Sequence, residues 1–162
     1  MPGLNIRVLM KKRIFIADRQ NIFRFRHKVL HKIVEKFFEI KKVSFSLSLV
    51  LADNQLIKRL NYRYRKENYS TDVLAFPLAA EYDLDDIRGE IVISVEKAQE
   101  NAILFAQRVE KEIVLYLVHG LLHLLGYRDY PTQAAEEMRR EEKKILRSLD
   151  KELFDKLLIK KI

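Results

Sequence analysis

The sequence predicts an α+β fold: a small mixed β-sheet of about four strands, packed with helices around a central buried helix. Three observations lead there. Segments with strand periodicity dominate the first part of the 162-residue chain, while the last part reads as helix after helix. One helical segment is apolar on nearly every face, which requires burial rather than a half-wet surface position. No internal repeat, low-complexity stretch or linker divides residues 1–162, so they read as one domain, in keeping with single cores of roughly 100–200 residues.

Leu4 to Leu9 alternates well enough for a first strand. Ile22 to Phe38 places Ile22, Phe25, Val29, Ile33 and Phe37 three or four apart, which is an amphipathic helix with a basic outer face. Val43 to Leu49 alternates apolar residues with serine at period two, as a strand with one buried face does. Asp53 is placed to N-cap a short helix reaching about Arg63 with Leu56, Ile57 and Leu60 inward. Tyr62 to Ser70 reads as an exposed basic and aromatic loop, Asp72 to Phe76 as a short strand closed by Pro77, and Glu81 to Asp86 as an acidic loop. A strand follows Gly89 over Glu90–Val95, then a helix over about Val95–Phe105. The all-round apolar helix runs from about Val109 to Leu125, with Gly126 placed to end it. Pro131 and Thr132 open a charged helix through about Arg147, and a short amphipathic tail follows.

Composition narrows the function classes. Cysteine is absent, which excludes disulfides (and any disulfide-linked partner), thiolate metal sites and a thiol nucleophile. The apolar runs are far shorter than the ~20 residues a membrane span needs, so no membrane partner is expected. Arg7, Lys11, Lys12 and Arg13 interrupt the amino-terminal apolar residues, unlike a secretory signal. A soluble, cytoplasmic protein is expected. The net charge of +8 is unevenly spread: residues 1–66 carry 17 basic and 4 acidic side chains, whereas residues 67–110 carry 3 and 10. A strongly positive first part suits a polyanionic partner, nucleic acid above all, although solubility alone also accounts for basic charge.

The chemistry concentrates in the string His119-Gly-Leu-Leu-His123-Leu-Leu-Gly126-Tyr-Arg-Asp129. On a helix, the i, i+4 spacing puts both imidazoles on one face, able to share one metal ion. Gly126 permits a sharp turn, after which Asp129 stands where extended zinc motifs carry their third ligand. Two histidines and one carboxylate leave a coordination position open for water, as catalytic zinc sites do. The alternative is two core histidines and a turn-capping Asp129. Buried imidazoles need polar partners, however, or they cost several kcal/mol, and a shared metal satisfies both at once. His27 and His31 have the same spacing but sit among Arg24, Arg26, Lys28 and Lys32, where another cation is disfavoured.

The general base of the H-E-x-x-H proteases is missing, since position 120 is glycine. Phosphodiester hydrolysis instead needs negative charge stabilised on phosphate oxygens, by a metal and by Arg or Lys. Arg59, Arg63, Arg65 and Lys66 interleave with Tyr62, Tyr64 and Tyr69, a mixture suited to single-stranded RNA, whose bases stack while cations hold its backbone. The tyrosines equally suit half-buried loop anchors. Arg65 reads either as a bidentate phosphate clamp or as an ordinary surface arginine.

Three ordered blocks accompany the histidine string: Leu60-Asn61-Tyr62-Arg63-Tyr64-Arg65, Thr71-Asp72-Val73-Leu74-Ala75-Phe76-Pro77 and Gly89-Glu90-Ile91-Val92-Ile93-Ser94. Together with His119–Tyr127 they resemble the YbeY-type endoribonucleases, bacterial 16S rRNA maturation factors, over roughly residues 45–130. The resemblance implies three metal ligands, two of which fall on His119 and His123. The third, normally histidine, falls on Asp129. It also implies a functional arginine at Arg65. A carboxylate in place of a neutral imidazole should leave water on the metal less acidic.

The expectation is therefore a zincin-like α+β protein whose buried helix carries the metal motif. It would act as a zinc-dependent, single-strand-specific endoribonuclease in 16S rRNA 3′-end maturation and ribosome quality control. His119, His123 and Asp129 would hold one zinc ion, with Arg65 catalytic beside the two histidines. Arg59, Arg63, Arg65 and Lys66 would bind RNA, with 16S rRNA and the small ribosomal subunit as partners. The rivals are a metzincin-like metalloprotease and a non-catalytic ribosome assembly factor with a structural metal.

Overall fold

A computed structural model describes residues 12–78 and 86–162. In chain order these form β1 (Lys12–Asp18), β2 (Phe23–Phe25), α1 (His27–Lys41), β3 (Ser44–Ala52), α2 (Asn54–Arg65), β4 (Val73–Pro77) and β5 (Asp86–Ser94). They continue with α3 (Val95–Leu104), α4 (Val109–Leu124), α5 (Thr132–Ser148), α6 (Lys151–Leu157) and β6 (Leu158–Lys161). The strand expected over residues 4–9 and most of the acidic loop expected over 81–86 lie outside the described residues. Among the described residues, no helix is long and apolar enough to cross a membrane.

The main sheet has the order β1-β3-β5-β4. β3 runs parallel to β1 and β5, whereas β4 lies antiparallel to β5, with Val73 opposite Ile93 and Pro77 opposite Gly89. The alternation in β3 sorts its two faces as expected. Phe45, Leu47, Leu49 and Leu51 enter the large core with α1 and α4, while Val50 and Ala52 join Leu74 and Val92 beneath α2. Burying an aliphatic side chain of this size contributes about 1.5–3 kcal/mol, so this two-sided sheet is the main source of stability. α4 lies across β4 and β5 on the large-core face. Its residues Ile113, Leu117, Val118, Leu121 and Leu122 are fully buried, as a helix apolar all round must be.

Local signals explain several boundaries. Asp53 caps α2 by accepting from the Leu56 amide at 2.7 Å, and Ser94 caps α3 by accepting from the Lys97 amide at 3.0 Å. Three expectations need correction. The helix expected from Ile22 begins at His27, because Phe23 and Phe25 are buried in alternation as strand residues paired with β6. The tail, expected to be simply amphipathic, divides into α6 and that returning strand. Tyr62 to Arg65, expected in a loop, form the last turn of α2, which ends at Lys66 in the left-handed conformation (φ 62°).

Candidate metal centre

α4 delivers His119 and His123 one turn apart, with ring centroids 4.7 Å from each other. The chain then leaves the helix through Gly126 at φ 94°, a conformation that favours glycine over any other residue. In that turn the Gly126 amide donates to His123 O and the Tyr127 amide to Leu122 O, at 3.0 and 3.1 Å. The tight return brings Asp129 back over the histidines: its carboxylate oxygens lie 3.6 Å from His119 Nε2 and 3.1 Å from His123 Nε2. The expected constellation is thus assembled. The three residues offer ligand atoms all within 4.8 Å of one another.

The far side of each imidazole defines what the near side can do. His119 Nδ1 lies 2.9 Å from Glu142 Oε2, and His123 Nδ1 lies 3.1 Å from the Tyr127 carbonyl. An ionised carboxylate and a carbonyl only accept, so each neutral ring donates its Nδ1–H outward and turns an Nε2 lone pair inward. The two Nε2 atoms are 3.1 Å apart and both face Asp129. Three acceptors converge with no proton among them, an arrangement satisfied by a shared cation. The spacing suits one: tetrahedral zinc with bonds of about 2.0–2.1 Å keeps its ligand atoms roughly 3.3 Å apart. Without a cation, a proton is the substitute. Burial disfavours the charged His119 ring, but the hydrogen bond to Glu142 and the charges of Asp129, Glu142 and Asp72 outweigh it. The His119 pKa is raised above its ordinary value.

These three residues line a cleft of about 170 Å³ whose other wall is Arg65, Thr71, Asp72, Val73 and Ala75. Arg65 reaches it from the last turn of α2, and β4 contributes the alternate residues Val73 and Ala75. Asp72 Oδ1 accepts from the Val73 amide at 2.7 Å and from Thr71 Oγ1 at 3.2 Å, which holds the strand entrance beside Arg65. Buried Asn61 donates Nδ2 to Tyr69 O at 3.0 Å, folding the segment after α2 back under that helix. Of the four basic residues expected to bind RNA, only Arg65 lines the cleft. Arg59, Arg63 and Lys66 are exposed elsewhere on α2 and its cap, with the Arg63 guanidinium 5.6 Å from the Tyr64 ring centroid and Lys66 Nζ 5.8 Å from that of Tyr62. Tyr62, Tyr64 and Tyr69 are each a little more than half exposed; the Tyr64 ring lies 5.1 Å from that of Phe76, and the Tyr69 hydroxyl donates to Glu67 at 2.6 Å.

Position 120 distinguishes the site from a peptidase. A Cβ built on Gly120 would meet Ile91 Cγ2 at 3.0 Å and Val73 Cγ2 at 3.2 Å. The residue next to His119 faces the sheet, so a side chain there would press on Ile91 and Val73, which would have to shift to admit it.

A mixed sheet backed by a buried helix, whose histidines and following carboxylate can hold one cation opposite an arginine, defines a class: small α+β proteins with a helix-borne metal site in an open cleft. Within that class the comparisons are specific. Residues 11–150 match the family model described as endoribonuclease YbeY, and the chain belongs to that family. It is 37% identical over 139 residues to an endoribonuclease YbeY of Alkaliphilus oremlandii, covering 82% of this chain and 92% of that one. The corresponding protein of Carboxydothermus hydrogenoformans is 44% identical over 103 residues, covering 64% and 71%. A Thermotoga maritima protein known from its solution structure superposes with a TM-score of 0.59 at 32% identity, covering 83% of this chain and 85% of that one.

Glu142 was not foreseen. It lies 23 residues beyond His119 on a separate helix, and no local spacing connects the two.

Proposed function

We propose that this protein is a zinc-dependent endoribonuclease that cuts single-stranded RNA internally. The observation that carries the reading is the placement of Arg65 in one cleft with His119, His123 and Asp129. His119, His123 and Asp129 would hold the ion, which when bound would supply Lewis acidity toward a phosphoryl oxygen and make water a stronger acid. The remaining work belongs to side chains. Arg65 presents a planar fork of charged donors, so it can grip a phosphodiester through two oxygens. Its charge then opposes the negative charge that grows on those oxygens during attack. Arg59, Arg63 and Lys66, exposed along α2, would hold flanking phosphates, and the exposed Tyr62 and Tyr64 offer faces for unstacked bases.

Family membership supports the finer assignment: 16S rRNA, met on the small ribosomal subunit in the cytoplasm, with action at the 3′ end and in ribosome quality control. Packing at Gly120 weighs against the peptidase reading. The test is incubation of the zinc-loaded protein with single-stranded and duplex RNA, beside His123→Ala and Arg65→Ala. Cleavage of the single strand alone, lost in both variants, is expected. Tight RNA binding without cleavage, unchanged in Arg65→Ala, would instead make the protein an assembly factor with a structural metal.

A further inference from the structure

We propose that Glu142 is a positioning residue for the metal site, fixing the ring orientation and tautomer of His119 so that Nε2 is presented as a ligand. The inference rests on the metal reading above and places behind the ligand set a supporting residue from a different helix. Its Oε2 lies 2.9 Å from His119 Nδ1, on the side of the ring opposite Asp129 and His123. The carboxylate is only 16% exposed, so water competes weakly for it, and this hydrogen bond is its polar contact with α4. A histidine ring has two nitrogens and one mobile proton when neutral, and a largely shielded acceptor at Nδ1 biases the choice between them. Metal-binding histidines held in this way are oriented before the ion arrives, and loss of such a partner typically lowers metal affinity about 10–100-fold.

The surroundings of Glu142 are built for the task. α5 is seated by Met138 and Ile145, each 1% exposed, four residues before and three after it. The adjacent Glu141 pairs with Lys41 of α1. Lys41 Nζ also contacts the Tyr127 hydroxyl at 3.4 Å and lies 5.2 Å from the centre of that ring. Tyr127 in turn supplies the carbonyl that takes His123 Nδ1–H at 3.1 Å. Consecutive acids on α5 therefore stand behind both histidines, Glu142 directly and Glu141 through two intermediaries.

The test compares wild type with Glu142→Ala and Glu142→Gln. Zinc affinity is measured by competition with a chromophoric chelator, and the His119 tautomer by ring nitrogen NMR of the chelator-stripped full chain at a pH alkaline enough to leave the ring neutral. In Glu142→Ala, affinity should fall about 10–100-fold and the Nδ1–H tautomer should lose its predominance. Glu142→Gln retains an acceptor oxygen at the same place and should recover the tautomer and most of the affinity. Should the alanine variant fail to fold, Glu142→Met, which fills the space and accepts nothing, carries the same comparison. Unchanged affinity or an unchanged tautomer in the variant lacking an acceptor overturns the proposal. A wild type that takes up no zinc overturns the metal reading instead, while the tautomer still reports on Glu142.

Discussion

Gly120→Ala tests how closely α4 sits on the sheet, and hence why this site differs from that of a peptidase. The added Cβ would stand 3.0 Å from Ile91 Cγ2, 3.2 Å from Val73 Cγ2 and 3.3 Å from Ile91 Cδ1, so three atoms must yield by a few tenths of an ångström. Ile91 is fully buried and cannot swing into solvent. Overpacking of this kind costs about 1–3 kcal/mol. Replacing a helical glycine by alanine returns about 1 kcal/mol. The net expectation is destabilisation of about 0–2 kcal/mol, a fall in Tm of up to about 8 °C for a chain of this size. Gly120→Glu adds a buried, unpaired carboxylate costing several kcal/mol more and should leave little folded protein. Calorimetry of the chelator-treated chain reads both changes. A rise of about 3 °C for Gly120→Ala would show that the position is loosely packed, and a folded Gly120→Glu that cleaves peptides would refute the argument entirely.

Three further outcomes follow from the site. Arg65→Ala should lower kcat for RNA cleavage about 100–1,000-fold, the usual cost of removing a donor aimed at developing charge; elemental analysis should find its zinc content unchanged. Because the His119 pKa is raised above about 6.5, its protonated form stabilises the metal-free chain fully below that pH, and this contribution is lost as pH rises through the raised value. Zinc needs the neutral ring, so chelator competition should show affinity falling with acidity from above pH ~6.5, by up to tenfold per pH unit for one displaced proton. RNA affinity should fall with salt at a log–log slope of about −3 if Arg59, Arg63, Arg65 and Lys66 each neutralise one phosphate, or roughly fifty-fold from 50 to 200 mM; a flat response in fluorescence anisotropy would return those charges to solubility.

The helix that carries His119 and His123 was legible because its information is local. Three features coincide within a few turns: histidines one turn apart, apolar residues on every face, and a glycine where the helix must stop. The alternating serines of β3 and the cap at Asp53 were legible for the same reason. Where partners lie far apart in the chain, periodicity misled. Ile22 and Phe25 fit a helical stripe, yet the burial of Phe23 and Phe25 is decided by a strand more than 130 residues later, so a three-residue pairing with β6 overrode local preference. The last turn of α2 is exposed and needs no apolar stripe, and its basic and aromatic residues therefore resembled a loop. The placement of Arg65 opposite the histidines depends on β4 taking the antiparallel edge of the sheet, which spacing alone does not reveal. Glu142 is the clearest case, since only the packing of α5 brings it to His119.

His119, His123 and Asp129 all come from one helix and the turn that follows it, a continuous stretch of eleven residues. Closing so short a segment costs little conformational entropy. Arg65, in contrast, arrives only when α2 and β4 have taken their places on the sheet. The candidate ligand set is thereby local in the chain, whereas the opposite wall of the cleft depends on tertiary packing. A partly folded or damaged chain could retain its ion yet lack the opposite wall of the cleft. Zinc stoichiometry will then count such molecules as loaded, and specific activity per zinc becomes the quantity that measures intact protein.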